Sequence, residues 1–137
     1  GVAVQTDPGG DNLSLAEAIA VAATSAARSV RAKAIVAFTE SGTTARLISK
    51  HRPASPLLAF TPSAWIQQQM ALYWGVRPFP MSRGGAPEAW IAEAERRLIL
   101  EHLCMPGDIV AVVSGTMAGQ VGGTNMLKLH KIGSIKS

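Results

Sequence analysis

A single cysteine, Cys104, stands among 137 residues. That excludes an internal disulfide and a thiolate zinc cluster, and it fits a reducing compartment, the cytoplasm. Aromatic residues make up only 5% of the chain and charged residues 16%. The first leaves no ladder of aromatics for stacking nucleic-acid bases, and the second excludes a disordered polyampholyte. No apolar run approaches the length of a membrane-spanning helix. No basic segment followed by an apolar core marks a secretion signal, and the first residue, Gly1, is not methionine. That start reads as a fragment or a processed chain. What the sequence holds instead is small apolar residues, rich in Ala and Val, at 47% hydrophobic overall. The length suits one domain with a core of its own. The net charge of +4 is mild. Its Lys and Arg are scattered, so no nucleic-acid partner is expected, and no membrane partner. The densest basic stretch, "KLHKIGSIK", reads as a lysine-bearing edge strand.

Strand-like and helix-like runs alternate along the chain. Residues 1–11, "GVAVQTDPGGD", read as a leading segment or linker with a turn signal, and residues 12–137 as one α/β domain. "SLAE" at Ser14 to Glu17 is a capping box that starts a helix lasting to about Val30. That helix carries apolar residues at nearly every turn and should be well buried. "AIVAF" (34–38), "PLLAFT" (56–61), "VRPF" (76–79) and "IVAVVSG" (109–115) are strands, the apolar ones covered on both faces. Helices are expected over 43–51, 63–74 and 87–104, the last opening on Pro87. Gly75 reads as the cap closing the second of these. The final segment, 124–132, alternates like an edge strand with one wet face. Strands alternating with helices imply a parallel sheet with helices on both faces. The short link before the last strand makes that strand antiparallel.

Ligands of such sheets bind at the carboxyl ends of the strands. Two loops leave those ends. The first is "TESGTT": Thr39, Glu40, Ser41, Gly42, Thr43 and Thr44. Its hydroxyls and helix N-terminus suit either a plain capped turn or an anion cradle. The second is glycine-rich, "SGTMAGQVGGTN", from Ser114 to Asn125, and reads as a connector or a loop that orders over a ligand. Trp90 and Arg97 lie two turns apart on one helix. Exposed, they would stack on a ligand and hold its phosphate; alternatively Trp90 belongs to the core and Arg97 to solvent.

Nothing marks catalysis. His51, His102 and His130 have no ligand spacing, so no metal site is expected. Ser41 and Ser114 have no evident base. Glu93, Glu95 and Glu101, mixed with Arg96 and Arg97, read as a solvated helix face. Cys104 reads as a packed hydrophobe.

Four segments, in order and spacing, resemble the C-terminal domain of pyruvate kinase. "AIVAFTESGTTARLISKHRPASPLLAFTP" is similar to the family's strand, its T-x-S-G-x-[ST]-A turn, a helix ending in "RP" and the next strand. "QMALYWGVRPF" resembles its "LYRGVFP" segment, and "EAWIAEAERR" its "W…R" helix. "GDIVAVVSGTMAGQVGGTNMLKLHKIG" is similar to its closing strand–loop–strand. The likeness runs from about Asn12 to Gly133 and is that of a bacterial-type enzyme.

The resemblance implies a three-layer α/β/α domain. Its five-stranded mixed sheet has the order 3-2-1-4-5, with the last strand antiparallel. It implies a regulatory and assembly domain with no catalytic residues, in a glycolytic enzyme that converts phosphoenolpyruvate and ADP to pyruvate and ATP. A separate barrel domain would hold the substrates with Mg²⁺ and K⁺, and the enzyme would be a tetramer. The effector would be a sugar phosphate or a nucleoside monophosphate. Its site would comprise Thr39 to Thr44, Trp90, Arg97 and the loop residues Gly115, Thr116, Gly119, Gly122, Gly123 and Thr124. Two features depart from relatives that bind fructose 1,6-bisphosphate. Glu40 replaces a common lysine, and the loop lacks their Trp-Arg-Pro segment. They point to a different effector, such as a monophosphate, or to an unused pocket. The alternative reading is a free-standing small α/β protein or enzyme that binds a phospho-ligand on the same rim.

Overall fold

The computed structural model describes residues 8–115, 117 and 125–134, with side chains from Leu15 onward. Helix α1 spans Pro8–Val30, β1 Ala34–Phe38, α2 Thr43–Lys50, β2 Leu57–Thr61 and α3 Ala64–Met70. Strand β3 spans Val76–Pro80, α4 Pro87–Leu100, β4 Ile109–Ser114 and β5 Met126–Lys131. Among the described residues no helix is long and apolar enough to cross a membrane.

The sheet has the order β3-β2-β1-β4-β5. β1 pairs parallel with β2 and β4, β2 pairs parallel with β3, and β4 pairs antiparallel with β5. This is the expected mixed sheet. The central strands are apolar on both sides, and alternate residues enter two separate cores. Ile35, Ala37, Leu57, Ala59, Ala111 and Val113 pack under α1, α2 and Met70 at the end of α3. Ala34, Val36, Phe38, Leu58, Phe60 and Val112 pack under α4. Each fully buried Phe or Leu in such a core stabilises it by about 1.5–3 kcal/mol. Pro78 and Pro80 are tolerated in β3 because it is an edge strand, and a missing N–H on its outer side breaks no ladder bond.

Several local expectations are corrected. α1 begins at Pro8, so Ser14 lies inside the helix and "SLAE" does not cap it. Nor is α1 buried all round: Ala20, Ala23 and Ala27 form one buried stripe, while Leu15, Val21 and Val30 are exposed. α3 is capped by Ser63, whose hydroxyl accepts from the Ile66 N–H at 3.2 Å, but it ends at Met70, not near Trp74. Gly75 therefore closes a turn after the helix, with φ 70°. α4 stops at Leu100, so Cys104 lies beyond it in the link to β4. In β5 the alternation is broken, with Leu129 exposed and His130 buried at 3%. Glu95 is not on a solvated face. Its carboxylate accepts the Gly133 N–H and lies 3.7 Å from Nε2 of buried His130, tying α4 to the end of β5. The one-sided reading of the α4 acids failed because Glu95 follows Ala94 and Ile91 around the helix toward the sheet.

Cys104 is buried, as expected of a packed thiol. Loss of hydration, reinforced by the Asp108 carboxylate and opposed by Lys33, pushes its pKa up to about 11.

Candidate functional site

The four parallel strands β1, β2, β3 and β4 end on one rim, and backbone bonds stitch the loops that leave it. The Thr39 N–H donates to the Phe60 carbonyl at 3.0 Å, Met81 N–H to Thr61 at 3.1 Å, and Gly115 N–H to Phe38 at 3.3 Å. The β1–α2 turn, the β3–α4 loop and the segment after β4 therefore meet over Phe38 and Phe60.

The β1–α2 turn is held by its own hydroxyls. Thr39 Oγ1 accepts the Gly42 N–H at 2.9 Å, Ser41 Oγ accepts the Thr43 N–H at 3.3 Å, and the Ser41 hydroxyl donates to Thr43 Oγ1 at 2.9 Å. Gly42 is the residue before α2 and has φ 83°, a left-handed conformation that costs an L residue about 1–2 kcal/mol. It makes no side-chain cap, so the turn presents the α2 N-terminus on the rim without a carboxylate in the first turn. Thr44 is buried. A Cβ on Gly115 would come within 2.8 Å of Thr44 Oγ1, so only glycine lets the β4 end pass this close. Ser41 and Thr43 are the turn's accessible hydroxyls.

A cleft of about 640 Å³ opens beside this turn. Its floor is Phe38 and Phe60, and its walls are the loop 80–85 and the face of α4 with Trp90, Glu93 and Arg97. Trp90 and Arg97 thus share one cleft. Trp90 is nevertheless a core residue, only 5% exposed. Its ring packs 5.6 Å from that of Phe38, and its Nε1–H donates to the Gly84 carbonyl at 2.9 Å. It cannot be the exposed stacking plate the sequence allowed. It shapes the cleft wall instead. Arg97 is half-buried, with its guanidinium 5.1 Å from the centre of the Phe79 ring. Its Nε is buried and has no hydrogen-bond partner among the described residues. A buried donor of this kind normally has an acceptor.

The turn 39–44 does not itself line the cleft. It is joined to it by Phe38 and by one ion pair: Glu40 accepts from the Arg83 guanidinium at 3.1 Å. The Glu40 carboxylate, which opposes an anion on its own, is therefore offset by a cation from the facing loop. Arg83 was missed in the sequence, where "MSRGGAP" reads only as a loop. The available signal was an arginine between strand end and helix start, on the same rim as an unpaired Glu40. Of the remaining predicted residues, Gly115 sits on the rim beside Thr44. Thr116, Gly119, Gly122, Gly123 and Thr124 lie outside the described residues. Among the described residues no group of three or more His, Cys, Asp or Glu could hold a metal ion.

A doubly covered, mixed five-stranded sheet with a cleft at the strand-end rim defines the fold class, a three-layer α/β domain. Sequence comparison makes the assignment specific. The family described as "Pyruvate kinase, alpha/beta domain" matches residues 17–130, and the chain belongs to it. Pyruvate kinase of Staphylococcus saprophyticus is 40% identical over 120 residues, covering 88% of this chain and 20% of the relative. That of Staphylococcus epidermidis is 39% identical over the same length. The chain thus spans about a fifth of the length of these relatives. Among solved structures, Cryptosporidium parvum pyruvate kinase in complex with ADP aligns at TM-score 0.80 and 29% identity, over 96% of this chain and 25% of that one.

Proposed function

We propose that this chain is the regulatory and assembly domain of a pyruvate kinase and that its strand-end cleft receives an anionic effector. The parent enzyme would transfer the phosphoryl group of phosphoenolpyruvate to ADP in a barrel domain outside this chain, in the cytoplasm. Mg²⁺ and K⁺ would belong to that barrel. This domain would supply no catalytic group. It would contribute contacts to a homotetramer and to the barrel of its own subunit.

One observation carries the effector reading: Arg97, half-buried and in no ion pair among the described residues, lines a cleft together with Arg83 and Glu93. A half-buried guanidinium without a counter-charge is unfavourable, and an anion in the cleft would supply a charge-assisted acceptor to its terminal N–H groups. The accessible hydroxyls of Ser41 and Thr43 and the α2 N-terminus extend the same anion-accepting rim. A sugar phosphate or a nucleoside monophosphate fits this set. Regulation then follows from differential affinity. An effector that binds one arrangement of the tetramer more tightly draws the population toward it, and a hundredfold difference in affinity supplies about 2.7 kcal/mol.

The test uses the parent enzyme. Its turnover of phosphoenolpyruvate is measured with and without fructose 1,6-bisphosphate, glucose 6-phosphate, ribose 5-phosphate and AMP. At least one compound should change the rate, and Arg97→Met should abolish that change. An enzyme indifferent to all four, or an unaltered response in Arg97→Met, would rule the reading out.

A further inference from the structure

The face of the sheet under α4 buries a side chain of the type that changes charge between about pH 5 and 8, His130. It stands on β5 opposite Val110 and packs among Val112, Ile132, Ile91 and Leu98. Its Nε2 is buried and has no hydrogen-bond partner among the described residues, and the packing around it leaves no room for a water molecule. Apolar residues would fill such a place at less cost, since a buried polar atom without a partner is unfavourable. The acceptor within reach is Glu95 on α4. Its Oε1 lies 3.7 Å from Nε2, too far for a hydrogen bond and close enough for an ion pair. The Glu95 side chain is itself only 13% exposed, and the same oxygen accepts the Gly133 N–H just past the end of β5.

The other charged groups nearby are engaged elsewhere or turned to solvent. On β5, Lys128 shares the His130 face but is exposed, and Lys131 points to the opposite face. On α4, Arg96 pairs with Glu93, and Glu88 is exposed. Before β4, the Asp108 carboxylate accepts the Met105 N–H, Lys33 and Asp108 face Cys104, and Glu101 pairs with Arg77. His102 is exposed. β1 and β4 bring Val36, Val110 and Val112 to the pair, and α1 covers the other face of the sheet. Glu95 is therefore the counter-charge that His130 faces, and this domain's own residues enclose the two.

We infer that His130 and Glu95 form a proton-operated clasp between β5 and α4. With the imidazole neutral, Nε2 is unpartnered and Glu95 holds Gly133 alone. A proton taken up from solvent gives an imidazolium with an N–H at both ring nitrogens. Its Nε2–H then donates to Glu95, closes the 3.7 Å gap and ties Gly133, His130 and α4 through one carboxylate. Trp90 lies five residues before Glu95 on the same helix and Arg97 two after it, so the state of the clasp reaches the wall of the cleft.

An NMR titration of this chain from about pH 8 to about pH 5 tests the clasp. It follows the His130 ring, the Gly133 amide and the Trp90 indole N–H. The Gly133 and Trp90 signals should shift with the same midpoint as the His130 ring. Exchange of the Gly133 amide, corrected for its intrinsic pH dependence, should slow roughly tenfold on protonation, because opening must then break a charge-assisted contact. Glu95→Gln keeps an acceptor for the Gly133 N–H but removes the charge. In that variant the Gly133 exchange should no longer follow the His130 ring, and in His130→Gln the linked shifts should vanish. A His130 ring that stays neutral throughout overturns the proposal. So does a Gly133 or Trp90 signal indifferent to its protonation, or an unaltered linkage in Glu95→Gln. The wild-type titration decides the matter even if a variant does not fold.

Discussion

Gly42→Ala is the perturbation whose cost the structure specifies most fully. Two terms add. The left-handed backbone at φ 83° costs an alanine about 1–2 kcal/mol. The new methyl would also sit 3.2 Å from Ile66 Cγ2 and 3.5 Å from Met70 Cγ, both on α3. The first of these is tight enough that the neighbour must give way, adding up to about 1 kcal/mol. The sum is about 1–3 kcal/mol, and for a domain of this length each kcal/mol lowers the melting temperature by about 3–5 °C. Gly75→Ala is the control, because Gly75 has φ 70° but nothing within 4 Å of the added Cβ. It should show the backbone cost alone. The assay is thermal unfolding by circular dichroism on four chains: each single variant, Ile66→Ala, and Gly42→Ala with Ile66→Ala. Removing the Ile66 methyl should erase the excess of Gly42→Ala over Gly75→Ala. If Gly42→Ala melts no lower than Gly75→Ala, or if the excess survives loss of Ile66, then α3 does not pack against this turn as described.

Four other outcomes follow from the same geometry. Trp90→Phe should cost about 1–2 kcal/mol in a chemical denaturation curve, because it leaves the Gly84 carbonyl without the indole donor. Glu40→Gln should change stability by less than about 1 kcal/mol by the same measurement, since its pair with Arg83 is an exposed one. Cys104 should react with a thiol-specific disulfide reagent at pH 7.5 at least about a hundredfold more slowly folded than unfolded. Its pKa is pushed up to about 11, so the contribution of the neutral thiol to stability is complete below the ordinary thiol range and is lost as pH rises through about 11. Gly115→Ala should destabilise unless Thr44 is also replaced by Ala, because the clash is with the Thr44 hydroxyl.

Much of this architecture was legible in the chain because the signals were physical and local. Short, β-branched apolar runs such as "AIVAF" and "IVAVVS", bounded by turn signals, read as strands covered on two faces. The short link into 124–132 forces the antiparallel end of the sheet, and Pro87 marks the start of α4. What failed depends on distant contacts. An Ala-rich helix shows no contrast between buried and exposed faces, so the one-sided burial of α1 could not be read. Glu95 looks like any helix-surface acid until β5 brings His130 and Gly133 to it. Trp90 satisfies either role at its spacing, and only the Phe38 ring and the Gly84 carbonyl decide for the core. The Glu40–Arg83 pair joins residues 43 apart and leaves no local trace.

The central claim is that the cleft beside Phe38 binds an anion through Arg97. Calorimetric titration of this chain with the four phosphoesters, repeated on Arg97→Met, measures it directly. Saturable binding of at least one compound is predicted, weakened about tenfold to a hundredfold in the variant by loss of a charge-assisted donor. Binding to none of them at millimolar concentration, or equal binding by Arg97→Met, would contradict the claim.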